Sequence, residues 1–66
     1  MNKEEPGRRL VKLKPASQYS GFSVWKLRQL IWTGALPVVQ LEPGGPYLVD
    51  VRDLDRYIEA SKHTLA

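Results

Sequence analysis

Hydrophobic and polar positions along this 66-residue chain change period from segment to segment, and the changes mark its elements. Met1 to Gly7 are largely polar, include Pro6-Gly7 and show no periodicity, which predicts a tail that cannot repay its ordering entropy by burial. Leu10 to Leu13 alternate weakly, with Val11 and Leu13 on one side, as a short extended segment ending at Pro15 would. Proline suits the first turn of a helix, where its missing N–H had no intrahelical partner. Residues 15–20 are therefore expected as a short helix closed by Gly21, with Ala16 and Tyr19 toward the core.

Ser20-Gly21-Phe22-Ser23 reads as a tight connection, Gly21 supplying a left-handed residue and the Ser23 hydroxyl capping the next helix. This second helix is predicted from Val24 to Thr33, stopped by Gly34 and kept from resuming by Pro37. Two helices joined by about three residues that include a glycine make a helix-turn-helix arrangement. From Leu36 the pattern turns to β: Pro37 to Leu41, the breakers Glu42-Pro43-Gly44-Gly45-Pro46, then Tyr47 to Val49, a predicted hairpin. Asp50 then caps a third helix, with Asp53 acidic in its first turn and Val51, Leu54, Tyr57 and Ile58 as its apolar face, fraying after about Ser61.

The second helix carries two stripes. At 100° per residue, Leu27, Leu30 and Ile31 centre on one direction, and Trp25, Arg28, Gln29 and Trp32 nearly opposite. Periodicity alone leaves the choice of core stripe open. The small volume of so short a domain favours Leu27, Leu30 and Ile31, which leaves an arginine and a glutamine between two indoles on the other face. The alternative packs one or both tryptophans against the hairpin or the tail. Arginine and glutamine can make bidentate hydrogen bonds to guanine and adenine edges, and a ~12 Å major groove admits one helix.

Charge adds a direction to this picture. Residues 1–34 hold seven cations against two acids, and residues 35–66 three cations against five acids, so the first half has a surplus of five positive charges and the second a surplus of two negative ones. A polyanion belongs on the first half. Cysteine is absent and His63 is the one histidine, which excludes disulfides and gives no structural zinc set. No apolar run approaches the roughly 20 residues of a membrane helix and no secretory segment is evident, so a cytoplasmic protein with no membrane partner is expected.

Catalytic groups are not apparent. Gly44-Gly45 lacks the Lys-Ser/Thr of a phosphate-binding loop and precedes no helix, so it reads as a turn. His63, near Ser61, falls on a helix end as a solvated imidazole, and Asp50, Asp53, Asp55 and Glu59 read as capping plus a solvated face. No enzymatic activity, metal or cofactor is expected.

The string from Gly21 to Pro37, with Gly21-Phe22-Ser23, Val24 to Ile31 and Gly34-Ala35-Leu36-Pro37, resembles the glycine-hydrophobe-serine, valine-x-x-x-isoleucine, glycine-x-leucine-proline pattern of the excisionase-type domains. These small winged-helix proteins are related to the DNA-binding head of mercury-resistance (MerR-like) regulators. The resemblance spans about residues 11–60. Leu13 and Ala16 fall in the opening helix, the hairpin in the wing, and Asp53-Leu54 with Tyr57-Ile58 in the closing helix. It implies an α+β winged helix-turn-helix whose second helix enters the major groove with Ser23, Trp25, Lys26, Arg28 and Gln29 toward DNA. The hairpin loop, with Gly44 and Gly45, would approach the neighbouring minor groove. That loop carries one acid and no base, so weak anchoring of the wing is expected.

Together these readings predict a flexible basic tail over 1–9, a winged helix-turn-helix over 10–62 and a frayed end over 63–66. Arg8, Arg9, Lys12, Lys14 and Trp32 join the second-helix residues as the expected DNA-binding set. By the resemblance, the role is that of an accessory factor that binds and bends double-stranded DNA near a mobile-element attachment site, directing excision by a cognate integrase. Neighbouring protomers would assist on DNA, with a monomer in free solution. A small MerR-like transcriptional regulator on the same scaffold, and a protein-interaction adaptor using the Trp25/Trp32 face, are the alternatives.

Overall fold

The computed structural model describes residues 8–65. They form an α+β fold of three helices and a two-stranded antiparallel sheet. In chain order the elements are β1 (Leu10–Val11), α1 (Leu13–Ser20), α2 (Val24–Trp32), β2 (Val49–Asp50) and α3 (Val51–Ser61).

Helix α1 begins at Leu13, two residues earlier than Pro15. Proline is tolerated there because the first-turn N–H groups have no intrahelical partner. The extended segment is correspondingly shorter than 10–13. At the other end Gly21 takes φ 84° and donates its N–H to Ser17 O, a left-handed cap that a Cβ would strain. Ala16 is fully buried. Tyr19, expected beside it, is 56% exposed, and its hydroxyl reaches across to donate to Asp55 Oδ1 at 2.6 Å.

Helix α2 starts on Ser23, whose Oγ accepts from Lys26 N at 3.0 Å. It ends in paired bonds from Gly34 N to Ile31 O and from Ala35 N to Leu30 O, which satisfy carbonyls that a helix end otherwise leaves open. The chain then turns Leu36 into the core. Leu27, Leu30, Leu36, Val49, Leu54 and Ala16 form that core, with Val11, Leu13, Phe22, Val38, Tyr57 and Ile58 packed around it. Ile31, expected inside, is only half-buried at its margin.

The predicted hairpin is reduced to a single bridge. Val39 N donates to Leu48 O at 2.8 Å and Leu48 N to Val39 O at 2.9 Å. The strand after this bridge, β2, pairs instead with β1, Leu10 opposite Asp50 and Val11 opposite Val49. Pro37, Pro43 and Pro46 flank the bridge and lack the N–H a longer ladder needs. Asp50 then serves both elements at its position: its backbone ends the ladder, and its Oδ1 accepts from Arg52 N to cap α3. The Phe22 and Tyr57 rings meet edge-on at 6.1 Å, joining the α1–α2 connection to α3.

Candidate nucleic-acid interface

The local rules that set α2 also set what it shows to solvent. With Leu27 and Leu30 committed to the core, the opposite face projects Trp25 and Trp32, 65% and 67% exposed, with Lys26 and Arg28 exposed between them. Gln29 is half-buried at the edge of this face. Ser23 is exposed but its hydroxyl oxygen is occupied as the cap of α2.

Beside this face lies a groove of about 420 Å³, lined by Arg28 and Trp32 of α2 and by Lys12 and Leu13 at the start of α1. Gly45, Pro46 and Tyr47 complete its wall. The loop that supplies this wall is braced by two hydrogen bonds, Gly45 N to Glu42 O at 2.9 Å and Gln40 Nε2 to Gly45 O at 2.7 Å. Of the expected residues, the groove brings together Lys12, Arg28, Trp32 and Gly45. Lys14, Lys26, Trp25 and Gly44 lie outside it.

Ion pairing divides the molecule. Asp50 holds Arg9 at 2.8 Å and Arg52 at 3.9 Å, Asp53 holds Arg56 at 2.8 Å and Glu59 holds Lys62 at 2.9 Å. All of these acids lie on β2 and α3. Lys12, Lys14, Lys26 and Arg28 pair with no carboxylate of the described residues. Arg9, expected at the end of a flexible tail, is tied to the sheet: its Nε donates to Asp50 and its carbonyl accepts from Val51 N, while its side chain stays largely exposed. Arg8 is exposed just before β1, and the rest of the expected tail lies outside the described residues.

Tyr47 and Pro46 belong to this site without having been expected there. Tyr47 reads locally as the first residue of a strand, and its one distinguishing signal is that it is an aromatic directly following a Gly-Gly-Pro turn. Among the described residues no helix is long and apolar enough to cross a membrane. Set against family models, curated proteins and solved structures, the chain matches none.

Proposed function

We propose that the chain is a sequence-specific DNA-binding module, a winged helix-turn-helix with α1 and α2 as the helix pair and residues 40–46 as a reduced wing. The observation that carries this reading is the separation of charge. Asp50, Asp53 and Glu59 of β2 and α3 are engaged with cations of their own surroundings, while Lys12, Lys14, Lys26 and Arg28 of the α1–α2 unit pair with no carboxylate of the described residues around an exposed helix face. Unpaired cations attract a phosphate backbone, and Arg28 and Gln29 are of the types that read base edges. The wing has no cation and is held by one bridge, so α2 carries the recognition.

The resemblance of 21–37 to excisionase-type domains supports the finer role, an accessory factor acting on DNA beside an integrase and neighbouring protomers. Catalysis then belongs to the integrase. Selection from a pool of random duplexes tests the DNA reading. The expected result is an enriched motif of a few base pairs, bound through α2. A pool with no enrichment, and no duplex retained at about 50 mM salt, overturns it.

A further inference from the structure

We infer that the groove between α2 and residues 45–47 receives an unpaired nucleotide, so that the protein engages DNA carrying a single-stranded base in preference to a fully paired duplex. This rests on reading the α2 face as a nucleic-acid surface and adds the form of nucleic acid it takes.

The groove combines two aromatic rings, Trp32 and Tyr47, with two cations, Lys12 and Arg28. Rings beside cations in a concave wall form a stacking platform with an electrostatic guide, the arrangement by which single strands are held without base-specific hydrogen bonds. Among the described residues Phe22 and Tyr57 pair with each other, which leaves Trp32 and Tyr47 without an aromatic partner. Fully paired DNA offers such rings little, because each base face is covered by its neighbours in the stack and only edges are presented. A face becomes available when a base leaves the stack, and extrusion costs least where the base is already unpaired.

The groove is also built before any ligand arrives. The Glu42–Gly45 and Gln40–Gly45 hydrogen bonds fix the loop wall, and Trp32 sits on a regular helix, so little ordering has to accompany binding. The loop's one acid, Glu42, lies outside the lining, and no carboxylate of the described residues lines the groove.

The test titrates the full chain into an oligothymidylate of about twelve nucleotides, within the single-strand site sizes of small modules. The same titration is run on a fully paired duplex and on that duplex with a central unpaired thymidine tract. Anisotropy and indole fluorescence are the readouts. The interrupted duplex is expected to bind more tightly than the paired one, and the oligothymidylate to quench indole emission. Trp32→Ala should lower the ratio of unpaired to paired affinity by roughly 5- to 150-fold, the loss of one base–aromatic stack. Trp32→Tyr keeps a ring and should restore most of the ratio, and Trp25→Ala, outside the groove, should leave the ratio unchanged whatever it does to overall affinity. Duplex binding with a ratio near one, or a ratio indifferent to Trp32→Ala, overturns the inference alone. A chain that binds none of the three overturns it together with the DNA reading.

Discussion

Arg9 and Asp50, 41 positions apart in sequence, meet with Nε 2.8 Å from Oδ2, while the other oxygen of the same carboxylate accepts from Arg52 N at 2.9 Å. One side chain thereby caps α3 and fastens β1 beside it.

That double engagement makes the fold sensitive to acid. The Arg52 N–H bond first, and the Arg9 contact after it, hold the Asp50 carboxyl below its ordinary value of 3.8, against burial, which pushes it up. Because the folded value is the lower one, the stabilisation is complete above the unfolded value and is lost as pH falls through the folded one. Asp50→Asn should therefore melt below the parent at pH 7, with the two melting temperatures converging as pH drops below the ordinary carboxylate range. Parallel curves at every pH would dissociate Asp50 from the acid response.

Burial separates two apolar positions of one α2 stripe that look equivalent in sequence. Leu27 is fully buried and Ile31 only half so. Leu27→Ala should cost about 2–5 kcal/mol, comparable with the 3–5 kcal/mol that so small a core supplies, and leave the protein largely unfolded at 37 °C. Ile31→Ala should retain a cooperative melt. Thermal denaturation of the two variants side by side distinguishes them.

Gly21 sits at φ 84° with open space where a Cβ would be. Gly21→Ala should then cost about 1–2 kcal/mol from backbone conformation alone, with no clash to relieve. Denaturant titration should show a lower midpoint at an unchanged slope.

On the proposed DNA-binding reading, about four contacts from among Lys12, Lys14, Lys26, Arg28 and the exposed Arg8 should make duplex affinity fall with salt at a log–log slope of roughly −3 to −4, at about −0.9 per phosphate neutralised. Arg28→Ala should cost about 1–3 kcal/mol and relax preference at one base pair. Arg9→Ala, by contrast, should lower the melting temperature and leave the slope unchanged. A steeper slope that Arg9→Ala flattens would return Arg9 to the DNA contact.

The starts of α2 and α3 and the end of α2 are legible in the sequence because their causes are local: Ser23, Gly34 and Asp50 each act on backbone groups within a few residues. The start of α1 at Leu13 is not, since Pro15 fits any position of a first turn, and of the slimmer α2 stripe Leu27 and Leu30 are buried while Ile31 stays at the margin. The sheet was not legible. Two-residue strands carry no alternation to read, and the partner of Val49–Asp50 lies at the far end of the chain, past two helices. The groove escaped for a related reason: Lys12 and Tyr47 are brought together only by that long-range closure. Tyr19 shows the limit of spacing arguments, since a residue three positions from a buried alanine has a hydroxyl that found its own partner on α3.

The β1–β2 ladder acts as a clasp around the α1–α2 unit, which it encloses in a single closed loop. Such a loop is entropically costly to form and yields only two paired positions, whereas α1 and α2 meet through a three-residue turn. The helix pair should consequently assemble early and the clasp late. In native-state hydrogen exchange the amide of Val51, bonded to Arg9 O, should open more readily than those of Leu27 and Leu30, releasing the N-terminal segment while the α2 face stays formed. Removing the chain through Val11 would therefore take away the clasp and the Arg9–Asp50 contact together, lowering stability while leaving the residues of the α2 face in place.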